Sequence, residues 1–297
     1  MNHLRWGSCL RLEEIGSLRP IPFVARVGVL AVRLSKFVSV SAVLTAAMLL
    51  PMAALTPDAP KALTAPRQRV ETADYRVSGH LVRVDANGSR MSFPINLKAR
   101  WFPGVLRVFI EIGTGSKTSA NSSITSRVPA HILLEMRPGG PNVVKIAHPG
   151  DKSPVILPFD KWSNGPLGNG FSYEDLLEAQ YFWAGQTALG EKKFGARDCD
   201  VVKSTPGAAD MTHDAEVTSW LDHRIGFPVY VEKTLKDGTV KEFTYFGLRQ
   251  NGGVWSASQV EVKIRGQAGS TLLMFDRGTP KANLALKDFA PAQLMHF

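Results

Sequence analysis

The stretch Phe227–Arg265, FPVYVEKTLKDGTVKEFTYFGLRQNGGVWSASQVEVKIR, decides the fold. Phe227, Val229 and Val231 fall on one face of an extended chain and Tyr230 and Glu232 on the other, the two-residue period of a half-buried strand. Lys236-Asp237-Gly238 and Asn251-Gly252-Gly253 are tight-turn sequences. Strands are therefore expected at Phe227–Leu235, Val240–Arg249 and Val254–Arg265. The same alternation groups Thr244, Phe246 and Leu248, then Val260, Val262 and Ile264, then Leu273 and Phe275. These hairpins predict an antiparallel sheet with one continuous apolar side that something must cover.

Working outward, Val217–Asp222 leads into the hairpins, Gly266–Gly269 forms a loop and Thr271–Phe275 is the last long strand. Upstream, Tyr75–Val84, Met91–Trp101, Leu106–Ile112, His131–Met136, Val143–Ala147 and Val155–Phe159 repeat the pattern between turn signals, as does Asp198–Lys203 around Cys199. Residues 113–126, rich in Gly, Ser and Thr, are expected to form a loop. One segment, Phe171–Trp183, carries helical spacing, with Ser172 as N-cap and Glu174 and Asp175 in the first turn. Residues 75–297 are thus expected to be a single β domain. Residues 58–74, polar and Pro-containing, are expected to be a linker.

Residues 1–57 are set apart. Phe37–Pro57 (FVSVSAVLTAAMLLPMAALTP) contains no charge and follows Arg26, Arg33 and Lys36, the pattern of a secretory signal or an N-terminal anchor. The basic flank favours the cytoplasmic side, which sends the rest of the chain across the membrane. The small-residue cleavage pattern around Met52-Ala53-Ala54-Leu55 is poor, so an uncleaved tether through residues 37–55 stays open. Residues 1–26 exceed an ordinary leader and read as sequence upstream of a start at Val27 or Val32.

Composition narrows the function. Of the 297 residues 44% are hydrophobic and 21% charged, which excludes whole-chain disorder and a polytopic membrane protein. The net charge of +9 is dispersed, with +4 from residues 1–55, and argues against a nucleic-acid partner. Two cysteines, Cys9 and Cys199, exclude a disulfide framework. The seven histidines show no ligand spacing, so neither a metal nor another cofactor is expected. His213-Asp214 and Asp222-His223 are neighbours on a strand, pointing to opposite faces, and form no relay. No enzyme is expected.

Three ordered passages resemble the outer-membrane lipoprotein-sorting (LolA-like) family. They are Ser219-Trp220-Leu221-Asp222, Phe227-Pro228, Glu232, Asp237-Gly238 and Lys241-Glu242-Phe243; then Gly168-Asn169-Gly170-Phe171-Ser172 with Asp175-Leu176; and finally Asn283, Asp288-Phe289 and Leu294. The resemblance implies an incomplete, strongly curved antiparallel β-barrel with a helical lid, mainly β with a few helices. It implies an apolar interior that shields acyl chains of lipoproteins or other envelope lipids. It also implies periplasmic traffic from an inner-membrane donor toward an outer-membrane acceptor protein. From the sequence alone the aromatic residues read first as ordinary core, with cavity lining as the alternative. As lining, the candidates are Phe109, Phe182, Trp183, Val229, Val231, Phe246, Leu248, Val260, Val262 and Leu273. A membrane-tethered sensor or scaffold of the same fold is the alternative.

Overall fold

The computed structural model describes residues 59–117, 129–165, 170–276 and 278–297. The apolar segment at 37–57, most of the 113–126 loop and Gly168-Asn169 lie outside the described residues.

Among the described residues seventeen strands follow in chain order. The first seven are β1 (Asp74–Val84), β2 (Arg90–Phe102), β3 (Val105–Ile112), β4 (Ser116–Lys117), β5 (Ala130–Met136), β6 (Val143–Ala147) and β7 (Val155–Ile156). After a long crossing come β8 (Gly185–Phe194), β9 (Arg197–Thr205), β10 (Asp214–Asp222), β11 (Pro228–Leu235) and β12 (Val240–Phe246). The last are β13 (Arg249–Asn251), β14 (Val254–Ser256), β15 (Gln259–Ile264), β16 (Ser270–Phe275) and β17 (Thr279–Pro280).

One sheet runs β7-β6-β5-β3-β2-β1-β16-β15-β12-β11-β10-β9-β8, with β4 and β17 pairing at its side and β13-β14 forming a separate ribbon. Two meanders are thus joined at one seam, β1 against β16, and the sheet does not close into a barrel. Buried residues near both ends, Val144 and Ile146 in β6 and Val217 in β10, belong to one apolar cluster, so the sheet curls around it.

Turn chemistry sets the register. Gly238 takes φ +85°, Leu235 accepts from the Gly238 N–H at 2.9 Å, and Asp237 accepts from the Thr239 N–H at 2.9 Å. That turn places Thr234 opposite Val240 and hence Val231 opposite Phe243. The inward row is Val231, Phe243 and Val262, with Tyr245 and Val260 beside it. Phe246 therefore points outward and is 42% exposed, and Leu248 lies half-buried beyond the end of β12. Grouping them with the inward side was a one-residue slip, which in a strand inverts the face.

The linker expectation is corrected as well. Residues Ala59–Ala62 and Thr64–Glu71 form two short helices, α1 and α2. Leu63, Pro66 and Val70 are buried, which fastens a segment whose composition reads as solvent-exposed. The predicted Val240–Arg249 and Val254–Arg265 strands each break in two. Ser258 donates from its N–H to the carbonyls of Phe246 and Gly247 at 3.0 and 3.2 Å and turns the chain there.

A second, smaller cluster lies on the opposite face of the first meander. Phe109, Leu133 and Ala147 pack there under Leu284, Phe289 and Leu294 of the C-terminal segment, and Lys98 sits 4.2 Å from the Phe109 ring centroid. Val108 and Ile110 face the main cluster. Phe109 is consequently not an interior-lining residue, because its odd register in β3 turns it to the other side.

The seam leaves no room for a side chain at Gly79, which stands opposite Phe275: a Cβ there would lie 2.0 Å from the Met274 carbonyl oxygen. Gly79→Ala is expected to lower unfolding stability by roughly 2 kcal/mol or more, read from the urea denaturation midpoint. An unchanged midpoint would show that the two meanders do not depend on this close approach.

Candidate functional site

Between β7 and β8 the chain crosses the inner face of the curled sheet instead of adding strands. Trp162, Phe171, Tyr173, Leu177 and Trp183 from this crossing are buried in the main cluster with Leu97, Val231, Phe243, Val262 and Leu273 of the sheet. Phe171 meets Phe243 edge-on at 6.2 Å, and Phe182 stacks on Trp101 at 5.8 Å. The inner face is filled by the chain's own aromatic side chains.

The expected helix over Phe171–Trp183 is replaced by two 3-10 turns, Glu174–Leu176 and Ala179–Phe182, separated by Glu178 at φ 49°, ψ 34°. An amphipathic helix needs a wet face, whereas Phe171, Ser172, Tyr173, Glu174, Asp175, Leu177, Gln180, Tyr181 and Trp183 are all buried. Tertiary partners take over the backbone groups. Tyr173 donates to the Trp162 carbonyl at 3.2 Å, and Gln186 donates to the carbonyls of Gln180 and Trp183 at 2.9 Å. The Ser172 N–H and hydroxyl both reach Asp175 Oδ2, at 2.7 and 2.8 Å, so the pair recognised as a cap is present without its helix.

Two polar clasps fasten this cover. Lys233 of β11 and Lys241 of β12 stand directly opposite each other and point inward. Asp175 of the cover lies between them, Oδ1 accepting from Lys233 Nζ and Oδ2 from Lys241 Nζ, each at 2.9 Å. Asp214 Oδ2 is 3.5 Å from Lys233 Nζ, and these four side chains are at most 6% exposed. Burial alone would raise the Asp175 carboxyl, but the two ammonium groups outweigh it and hold Asp175 well below the usual carboxylate range. Asp214 goes the other way: burial pushes it up to about 6 against the pull of Lys233, with Glu174 and Asp175 adding to the rise.

Beside this cluster Glu174 accepts from the Thr212 hydroxyl at 2.8 Å and the His213 N–H at 3.2 Å. His213 Nδ1 is 3.0 Å from the same carboxylate, and its ring stacks on Phe159 at 4.1 Å. An open cavity of about 380 Å³ at this rim is lined by Gly139, Pro141, Phe159, Met211, Thr212 and Lys236. The second clasp is a bidentate pair at the far end of the cover, Arg69 of α2 with Glu178, both contacts 2.8 Å. Arg67 adds a hydrogen bond to the Tyr181 carbonyl at 2.6 Å.

Of the predicted lining residues, the fold brings Phe182, Trp183, Val231, Val260, Val262 and Leu273 to the inner face. Val229 is buried, whereas Phe109, Phe246 and Leu248 are elsewhere. His213-Asp214 and Asp222-His223 sit at opposite ends of β10 and do not converge. Asp222 pairs with Arg197, and burial pushes the Cys199 thiol up to about 11, leaving it little thiolate character. The clasps escaped the sequence reading. Their signal was Lys233 and Lys241 falling in phase with Val231 and Phe243, on positions the alternation reserves for apolar residues.

Removing one partner of a buried ion pair strands the others. Asp175→Asn is expected to destabilise the domain by about 3–5 kcal/mol in chemical denaturation, more than any single exposed carboxylate. A carboxyl whose folded pKa is raised binds a proton that the unfolded chain has released, so Asp214 makes stability fall as pH rises from about 4 to 6. Asp214→Asn should flatten that fall, measured as the difference between variant and parent denaturation midpoints at pH 4.5 and 7. Equal differences at the two pH values would remove Asp214 from the balance.

A family model described as that of an uncharacterized protein matches residues 161–296. No curated protein matches the chain in sequence. Solved structures do match in fold. A putative outer membrane lipoprotein-sorting protein domain from Vibrio parahaemolyticus is 18% identical with a TM-score of 0.66, covering 80% of this chain and 99% of its own. A DUF1329 family protein from Desulfovibrio piger is 14% identical, TM-score 0.65, covering 80% and 100%. A LolA superfamily protein from Nitrosomonas europaea is 13% identical, TM-score 0.54, covering 80% and 99%. With its curled, unclosed antiparallel sheet and crossing cover, the chain has the fold of the outer-membrane lipoprotein-sorting and LolA-superfamily structures.

Proposed function

We propose that the protein is a non-enzymatic lipid- or lipoprotein-binding protein of the bacterial cell envelope. In this proposal it shields acyl chains against the inner face of its sheet and carries them across the periplasm toward the outer membrane. The observation that carries the proposal is the nature of the cover. An apolar inner face is closed by an irregular segment fastened through polar clasps rather than by further strands of the sheet. Displacing that segment would expose Phe243, Val262 and Leu273 as a continuous hydrocarbon surface.

The energetics permit exchange. Each buried methylene contributes about 0.8 kcal/mol, so some ten methylenes offer about 8 kcal/mol. That is of the order needed to release a clasp and re-expose part of the cover's own apolar surface. Affinity would then rest on apolar area, and handover would need only an acceptor that buries the chain better. Support also comes from the basic flank and uncharged stretch at Arg26–Pro57, which suit export, and from a fold neighbour described as a putative outer membrane lipoprotein-sorting protein domain. Among the described residues no helix is long and apolar enough to cross a membrane.

One observation favours a second reading. The inner face is already filled, which suits a sensor or scaffold of the same fold that binds a protein partner and never opens.

Lipid extraction of the protein purified from the envelope, with mass spectrometry, and uptake of a fluorescent acyl probe separate the two. Bound lipid or saturable uptake is expected in the parent protein. Arg69→Ala, which releases Glu178, should increase the uptake rate severalfold by loosening the cover. Lipid-free extracts with no uptake by either form would overturn the carrier proposal and leave the scaffold.

A further inference from the structure

At the other end of the sheet, three side chains outside both clasps converge. Glu191 lies in the edge strand β8, Asp200 in β9, and His223 directly follows β10. Glu191 and Asp200 are cross-strand partners. The His223 N–H donates to the Asp198 carbonyl at 2.9 Å, which continues the β9–β10 ladder and holds the histidine alongside. The register of β8 shifts between Ala188 and Glu191, a bulge with Gly190 at φ +81°, and a bulge re-aims the side chains that follow it.

His223 Nδ1 is 3.1 and 3.3 Å from the two Asp200 oxygens. One ligand atom from each of Glu191, Asp200 and His223 lies within 4.8 Å of the others. Donors around a tetrahedral ion with bonds of about 2.0 Å stand roughly 3.3 Å apart. The His223–Asp200 edge already has that length. His223, hydrogen-bonded to Asp200, and Glu191 are both exposed, and rotation of the Glu191 side chain can close the remaining edges. Among the described residues neither Glu191 nor Asp200 forms an ion pair with a lysine or arginine. Two nearby cations are engaged elsewhere, Lys193 with Asp198 and Arg197 with Asp222.

We infer that Glu191, Asp200 and His223 form a site for a divalent first-row metal ion of the zinc type, with water completing the coordination. Two carboxylates compensate a divalent charge. The imidazole selects against magnesium and calcium, which prefer all-oxygen shells. The ion would tie three adjacent strands together where the sheet ends and fix the bulged edge strand. The site escapes sequence inspection because its donors come from two strands and the turn after a third, and only one donor is a histidine. It stands independently of lipid binding, since among the described residues no hydrogen bond or ion pair links its side chains to the cover.

Zinc chloride titrated calorimetrically into the full chain, after dialysis against chelator, tests it. One equivalent is expected to bind in the micromolar range and to raise the melting temperature. Loss of an outer-shell partner already weakens metal sites by roughly 10–100-fold, so His223→Ala and Asp200→Asn should each weaken binding at least about tenfold. The metal-free melting temperatures of both variants report whether they remain folded. Cobalt(II) absorption on the unaltered protein gives a readout that needs no variant: intense tetrahedral visible bands, displaced by zinc, are expected. Absence of saturable zinc binding, or binding that survives both substitutions, would overturn the site.

Discussion

Two lysines face each other across neighbouring strands in the buried interior, and one aspartate holds both. Without Asp175, Lys233 and Lys241 would put two like charges side by side in a low-dielectric interior. The carboxylate relieves that repulsion one oxygen at a time, and the Ser172 N–H and hydroxyl both donate to Oδ2 as well. Such a cluster adds little net stability relative to a hydrocarbon core of equal volume, because all three ions lose their hydration. Its contribution is positional. A slip of β11 against β12, or of the cover against either, would leave a buried charge without a partner. Registry between the sheet and its cover is therefore enforced by penalty rather than by attraction.

That division of labour explains the irregularity of the cover. Regular secondary structure satisfies its own backbone, and a helix over Phe171–Trp183 would have done so. It would also have wound the charged positions around a cylinder that has no wet side here. The chain instead gives up the helix, accepts a left-handed conformation at Glu178, and recovers its polar groups through the side chains of α2, β8, β11 and β12. The cover is thus held at a few points by charge-assisted contacts rather than by a ladder of amides.

The strands were legible in the sequence where turn chemistry and alternation agreed. Lys236-Asp237-Gly238 marks its hairpin because only a residue tolerant of positive φ fits there, and β1, β3 and β6 follow the expected ranges within a residue or two. Alternation misled where a strand carries large apolar residues on both faces. Phe243 and Phe246 of β12 are equally greasy, and only the turn-imposed register assigns the first inward and the second outward. Phe109 was misplaced for the same reason, since β3 is buried on both sides, by the cover's cluster and by the C-terminal segment. The clasps were legible in part, as lysines in phase with a core row. What no local pattern discloses is the partner that neutralises them, which stands 58 residues from Lys233 and 66 from Lys241.

The seam between β1 and β16 has a consequence for how the molecule comes into being. Gly79 meets Phe275 only after nearly two hundred intervening residues have appeared, so the seam stays unformed during the greater part of synthesis. Through that interval β1 is an uncovered edge, with its amides and carbonyls free to pair with any other extended chain. Closure is a late, long-range event, slow by the logic of loop entropy. A nascent chain built this way keeps that edge open to mispairing until β16 arrives.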